Sequence, residues 1–313
     1  MKVLVTGAAG FIGSHAAEAL NKEGYQVTGI DNFSEYYDVK LKKLNAECLQ
    51  KYNVEVINAD LRETEDFKKL STNFDFIIHF AAQPGISNSS TFDQYLQNNI
   101  IGTQNLIEFA HQNRKLKHFF NISTSSVYGL EATFPENTAP QPASYYGVTK
   151  LAAEQLVLAE SRAKRLNSSS LRLYSVYGPR ERPEKLYTKL ISCAYRNEKF
   201  PLFSGSEKHL RSFTYVGDII DGLLSAVKKH HELNGEIINL GTEAEYTTQE
   251  GIDYVEELLG KKIELKIVPK RKGDQWHTRA NITKAKKILE YNPKMTLKEG
   301  LQKQINWYKS NFL

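Results

Sequence analysis

The sequence predicts an α/β fold: a doubly wound parallel sheet filling the first half of the chain, with a smaller, discontinuous lobe toward the C-terminus. Three observations lead there. Short apolar runs of strand length alternate with segments of helical periodicity. A glycine-rich turn, Gly7-Ala8-Ala9-Gly10-Phe11-Ile12-Gly13, stands between the first strand and the first helix. The residues at strand ends, Gly7, Asp31, Ala81 and Thr124, also fall where parallel sheets bind ligands, beyond the carboxyl ends of their strands.

In chain order, Lys2-Val3-Leu4-Val5-Thr6 reads as a buried strand, followed by the turn and a helix from Ser14 to Lys22. Gly7, Gly10 and Gly13 let backbone N–H groups approach a pyrophosphate, toward which the positive end of the helix dipole points. A second strand, Gln26 to Ile30, ends at Asp31. A carboxylate there accepts ribose hydroxyls and repels a 2′-phosphate, which favours NAD over NADP. Val54–Asn58 reads as a strand leading to Asp60-Leu61, placed to bring a carboxylate near an adenine. Phe74–Phe80 ends in Ala81-Ala82, small residues that let a ligand pass close to the chain. Asn99 to Glu108 belongs to a long helix, and the strand Phe119–Ile122 runs into Ser123-Thr124-Ser125-Ser126. Leu171–Tyr174 and Glu236–Leu240 read as further strands, and Lys284 to Leu289 as a late helix.

Pro and Gly become frequent after Gly178. The expected division is therefore residues 1–176 as a nucleotide-binding domain, with strand 235–241 returning to it, and a substrate lobe of 177–234 and 242–313. The 313 residues are 41% hydrophobic and 25% charged, ordinary for a globular protein. The net charge of +5 comes without a dense Lys/Arg block; the run Lys284, Lys286, Lys287 reads as a solvated helix face, so no nucleic-acid partner is expected. Cys48 and Cys193 supply neither a disulfide framework nor a metal-ligand set, and no metal is expected. With no long apolar run and no signal-peptide pattern, a cytoplasmic protein without membrane contact is expected, its sequons at Asn88 and Asn167 unused.

The chemistry centres on Ser144-Tyr145-Tyr146-Gly147-Val148-Thr149-Lys150. On a helix, Tyr146 and Lys150 share one face. A phenol titrates near ~10, and a neighbouring ammonium favours the phenolate. Such a Tyr, beside hydroxyls such as Thr124 and Ser125, suits proton removal from a carbinol while hydride leaves its carbon. Y-x-x-x-K by itself is a common pattern, and two surface residues would read the same.

Together, Gly7-x-x-Gly10-x-x-Gly13, Asp31, Asp60-Leu61, His79-Phe80-Ala81-Ala82, Ser123-Thr124-Ser125 and Tyr146-x-x-x-Lys150 resemble the extended short-chain dehydrogenase/reductase superfamily, and within it the nucleotide-sugar epimerases and dehydratases. The resemblance implies a Rossmann-like domain and NAD held by Gly7, Gly10, Phe11, Ile12, Gly13, Asp31, Asn32, Asp60, Leu61, Ala81, Ala82, Asn99, Tyr146 and Lys150. It implies Tyr146, Lys150, Thr124 and Ser125 as the catalytic group. It also implies a UDP-sugar against Pro84, Gly85, Thr124, Ser125, Ser126, Ser175, Arg182, Lys189, Phe203, Arg211 and Asp274. Arg211 would clamp the diphosphate, Pro201–Phe203 would lie along the uracil and Asp274 would hold the ribose. On their own, Arg211 and Asp274 read equally well as salt-bridge partners, and Phe203 as core. A homodimer is implied too, through a four-helix bundle of the helices bearing Asn99–Glu108 and Tyr146–Glu160.

Within this family, 4,6-dehydratases carry Asp-Glu after the active-site Thr and UDP-glucuronate decarboxylases a Glu in the same turn; here Ser125 and Ser126 stand there, neither titrating near neutral pH. A 4-epimerase pattern remains. The stretches Asp31-Asn32-Phe33-Ser34-Glu35-Tyr36-Tyr37-Asp38 and Gly178-Pro179-Arg180-Glu181-Arg182-Pro183 resemble UDP-glucuronate 4-epimerases, with Arg182 at the sugar carboxylate. One departure keeps UDP-glucose and UDP-N-acetylglucosamine open as substrates: Pro84-Gly85-Ile86-Ser87 stands where those epimerases read Ala-Gly-Val-Arg. A silent dinucleotide-binding relative is the non-enzymatic alternative, against which Thr124, Tyr146 and Lys150 speak together.

Overall fold

The structure, a computed structural model, describes residues 1–86, 90–270 and 273–313. Seven parallel strands form the central sheet: β1 (Lys2–Thr6), β2 (Gln26–Asp31), β3 (Glu55–Asn58), β4 (Phe76–His79), β5 (His118–Thr124), β6 (Ser168–Leu173) and β7 (Ile237–Leu240). Their order is β7-β6-β5-β4-β1-β2-β3, so the chain starts in the middle, winds to one edge, then returns and winds to the other. This is a Rossmann-like, doubly wound sheet. The central strands β4, β5 and β6 are buried along their whole length because both faces are covered, even where β6 carries Ser168, Ser169, Ser170 and Arg172. Side chains still alternate: Val3 and Val5 enter one core and Leu4 the other, and Phe76 and Ile78 oppose Ile77 in the same way.

Four helices of the first half position the site. α1 (Phe11–Lys22) leaves the glycine turn directly. α2 (Val39–Gln50) is capped by Asp38, whose carboxylate accepts the Lys40 N–H at 2.9 Å. α3 (Gly102–His111) continues a helix from Phe92 whose middle, Leu96–Ile101, is π-wound. The expected single long helix therefore carries a bulge at Asn98 and Asn99, of the kind frequent at functional sites. α4 (Tyr145–Arg162) starts at Ser144, whose hydroxyl accepts the Gly147 N–H at 3.1 Å.

The second half builds its own core from Leu186–Arg196, Phe200–Phe203, Thr248–Leu259 and Leu297–Phe312. The helix Val216–Lys228 instead shares the sheet's core and packs on α1. The stretch 177–234 is thus divided between two cores, because the hydrophobic face of that helix finds its cover on the sheet. A small four-stranded sheet joins the halves, pairing Leu210–Arg211 with Tyr246–Thr247 and His277–Thr278, and the latter with Glu131–Ala132. Among the described residues no helix is long and apolar enough to cross a membrane, and no group of three His, Cys, Asp or Glu could hold a metal. Cys48 and Cys193 are both free.

Candidate active site

A long cavity runs along the carboxyl ends of β1, β2, β4, β5 and β6. At one end it is lined by the glycine turn. Gly7 is left-handed (φ 67°), and a Cβ there would lie 2.9 Å from the Ala81 amide nitrogen. At Gly13 a Cβ would stand 2.1 Å from the Gly7 carbonyl oxygen, so only glycine lets α1 rise this close to the turn. Gly10 caps α1 without a side chain, leaving the first-turn N–H groups facing the cavity. This cradle fits a dinucleotide pyrophosphate. Beneath it, the buried His79 ring bridges the hydroxyls of Thr6 (2.8 Å) and Thr103 (2.9 Å), and Thr6 accepts the Ala81 N–H at 3.1 Å. Burial lowers the His79 pKa to about 3, with the charge of Lys150 adding to the effect; the ring is a neutral staple that sets Ala81 against Gly7.

Further along, Asp31 accepts the N–H groups of Ala9 (3.2 Å) and Phe33 (2.9 Å) and lies 3.4 Å from the buried Lys42 ammonium. Asp60 takes Asn32 Nδ2 at 3.0 Å and both edges of Arg62. Burial works against the Asp60 charge, but these hydrogen bonds outweigh it and hold its pKa at about 2. Lys42 and Arg62 line the cavity and were not anticipated. Lys42 sits one turn inside α2 from its Asp38 cap, a spacing that could have flagged it.

At the centre, Tyr146 and Lys150 lie on successive turns of α4, both on the cavity wall. Gly147 lets that helix start against the turn after β5: a Cβ there would come within 2.6 Å of the Ser126 carbonyl oxygen. Burial raises the Tyr146 phenol, while the Thr124 hydroxyl and the charge of Arg182 pull it back down. Arg182 thus adds a second cation to the wall that carries Tyr146 and Lys150. Lys150 is itself buried, and this lowers its pKa to about 8 against the pull of Glu154. Glu154, one turn further on, is fully engaged in a buried bidentate pair with Arg172, at 2.6 and 2.9 Å.

The far end is assembled from distant segments. Arg182 lies under the left-handed Gly85 (φ 74°), beside the Tyr36 ring at 5.7 Å, and 2.8 Å from the half-exposed Glu184 carboxylate. That contact lacks hydrogen-bond geometry, and the buried Nη1 of Arg182 makes no other hydrogen bond. Arg211 and Asp274 form an ion pair at 3.0 Å on the wall shared with a second, adjoining cavity. Lys189, Pro201 and Phe203 line that second cavity, and Ser175 lines both; Phe203 is half-buried on its wall rather than in the core. Gln275 was missed: its amide donates to the Ser125 (3.3 Å) and Gly129 (2.9 Å) carbonyls, tying the C-terminal lobe to the turn after β5.

The cavities thus gather Gly7, Gly10, Phe11, Ile12, Gly13, Asp31, Asn32, Asp60, Leu61, Ala81, Ala82, Pro84, Gly85, Thr124, Ser125, Ser126, Tyr146, Lys150, Ser175, Arg182, Lys189, Phe203, Arg211 and Asp274. Asn99 is the exception. It stands behind the wall, accepting the Gln83 N–H at 2.7 Å and donating to the Gln83 carbonyl and the Thr149 hydroxyl. Its side-chain groups shape the Gln83–Pro84 segment of the cavity wall. Ser87 lies outside the described residues.

The description of the NAD dependent epimerase/dehydratase family matches residues 3–241. An uncharacterized UDP-glucose epimerase of Bacillus subtilis strain 168 is 37% identical over 99% of this chain and 98% of its own length. UDP-glucuronate 4-epimerase 6 of Arabidopsis thaliana is 34% identical over 98% of this chain and 71% of its own. Among solved structures, the UDP-glucuronic acid 4-epimerase of Bacillus cereus, in complex with UDP-glucuronic acid and NAD, is similar with a TM-score of 0.92 at 35% identity, each chain covered over 100% of its length.

Proposed function

This chain belongs to the NAD dependent epimerase/dehydratase family, and from that premise we propose that it inverts C4 of a UDP-sugar, interconverting UDP-glucuronate and UDP-galacturonate. One observation carries the reading: Thr124, Tyr146, Lys150 and Arg182 line one cavity whose other end is a glycine cradle. Gly7, Gly10, Gly13, Asp31, Ala81 and Lys150 would hold NAD, which accepts the C4 hydride and gives it back.

Tyr146 takes the proton of the 4-hydroxyl, which Thr124 holds by a second hydrogen bond. Lys150 steadies the negative charge in the same buried region. Ser125 and Ser126 offer hydroxyls where an elimination would need an acid and a base. Arg182, whose buried Nη1 already faces the Glu184 carboxylate, would hold the C6 carboxylate. That grip matters because the 4-keto sugar acid is a β-keto acid, which loses CO₂ when its carboxylate bond aligns with the carbonyl π system. Arg211 and Lys189 would meet the diphosphate, Asp274 the ribose, and Phe203 the uracil.

Exposed apolar side chains on the helical segments 92–111 and 145–162, namely Phe92, Ile101, Tyr145 and Val148, support a homodimer through a four-helix bundle. Two free cysteines suit a reducing, cytoplasmic setting. The deciding experiment is incubation with UDP-glucuronate. UDP-galacturonate without CO₂ release supports the proposal, and a UDP-pentose overturns it in favour of decarboxylation. Turnover of UDP-glucose or UDP-N-acetylglucosamine alone would move the substrate to a neutral sugar, as the name of the Bacillus subtilis relative suggests for that protein.

A further inference from the structure

Three consecutive residues of the loop after Val176–Tyr177 point to three different places. Arg182 lines the cavity. Glu181 is buried toward the second lobe, where its carboxylate accepts the Thr188 hydroxyl (3.0 Å) and the Gln304 amide (2.8 Å). Arg180 turns the other way, onto α1. Its Nη2 meets Glu18 at 2.8 Å and its Nη1 reaches Ser14 Oγ at 3.4 Å, while the preceding Pro179 carbonyl lies 2.9 Å from His15 Nε2. Arg180, Ser14, His15 and Glu18 line neither cavity.

The backbone pays attention to this clamp as well. Arg180 is left-handed (φ 68°), a conformation that L side chains rarely adopt and that persists where the surroundings over-determine it. No turn chemistry requires an arginine here; glycine or asparagine would take this φ more easily. What arginine adds is reach to α1, the helix whose first turn carries Phe11, Ile12 and Gly13. Lys22 and Arg180 keep Glu18 ionised against its partial burial. Burial, helped by the Arg180 charge, keeps His15 neutral.

We propose that Arg180, clamped by Glu18 and Ser14, is a positioning residue: it pins the 178–182 turn to the cofactor helix so that the Arg182 guanidinium meets the carboxylate of an acidic UDP-sugar. The proposal rests on the reading of Arg182 given above. A residue that touches neither sugar nor cofactor then sets the preference for an acidic sugar.

The test uses NAD-loaded enzyme and calorimetric Kd values for UDP and UDP-glucuronate. Arg180→Ala and Glu18→Gln are each expected to weaken UDP-glucuronate about fivefold or more while leaving UDP within about twofold, the range seen for coupled residues in one network. The double variant should be no weaker than Arg180→Ala alone. Arg180→Gly accepts the left-handed backbone, so it should melt like the parent and still lose affinity for the acidic sugar. Equal weakening of UDP and UDP-glucuronate, or no change in either, overturns the proposal. Arg182→Ala separates the two readings. If it removes the preference for UDP-glucuronate over UDP and the Arg180 variants do not, the clamp alone is wrong; if it leaves that preference intact, the Arg182 reading fails and the clamp with it.

Discussion

At the cofactor end of the cavity, the lining groups come from short runs at the ends of neighbouring strands, and backbone holds them: the Gly7–Gly13 turn, Asp31 at the end of β2, Ala81 after β4. At the substrate end they come from a loop at 182, a helix at 189, and short strands or turns at 203, 211 and 274, joined by side-chain ion pairs. The difference teaches how each end responds to change. A backbone cradle tolerates no added atom, whereas a set of ion pairs can lose one member and still stand.

Tyr146 belongs to both ends, and removing its proton-transfer group should have the largest effect. Tyr146→Phe should lower kcat by about 10²–10⁴-fold, the usual worth of a positioned acid–base group, with NAD still bound. Undiminished turnover in a product assay would remove Tyr146 as the base. Arg182→Ala should raise KM for UDP-glucuronate about 30-fold or more, since truncating one partner of a buried charge contact costs about 2–5 kcal/mol. KM for UDP-glucose, if that sugar is turned over, should stay put. Gly13→Ala tests the other end: its Cβ must displace the Gly7 carbonyl, an overpacking strain of about 1–3 kcal/mol. NAD affinity, followed by fluorescence, should fall while UDP affinity holds.

Acid should act on the cradle and the clamp in the same direction. His79 and His118 have pKa values lowered to about 3 by burial, and His15 to about 4. Below 6.5 the unfolded chain takes up protons at these rings while the folded chain does not. Stability is therefore full above 6.5 and falls as pH drops toward 4, by about 1.4 kcal/mol per unit for each ring. Denaturant midpoints at pH 7.5, 6.0 and 5.0 should decrease in that order, and a flat series would mean the rings are protonated in the folded state. The smallest effect is expected at Glu184. Its half-exposed contact with Arg182 competes with a sugar carboxylate, so Glu184→Gln should lower KM for UDP-glucuronate by no more than about fivefold, as exposed pairs are worth about 0–1 kcal/mol. An increase in KM would show that Glu184 orients Arg182 instead.

Much of the cofactor end was legible because its signals are local. A glycine needed for close approach, a strand that ends in a carboxylate and small residues after a strand can each be read within a few positions of one another. The setting of Asn99 is of the opposite kind. Its helix position was sound, but the π-turn at Leu96–Ile101 and the demands of Gln83 decide where its amide points, and both are set by packing. Gln275 gave no local signal, since it acquires its meaning from Ser125 and Gly129, partners brought near by the fold.

By itself, the sequence determined the doubly wound sheet, the glycine cradle and the Tyr146–Lys150 pair, because strand alternation, turn geometry and helical spacing all act over a few residues. Only the tertiary structure decided which groups gather around the phenol, where the Asn99 amide points, and how Arg182 is held. Those depend on burial and on contacts between residues far apart in the chain, such as the 162 positions between Glu18 and Arg180, and spacing along the sequence does not encode them.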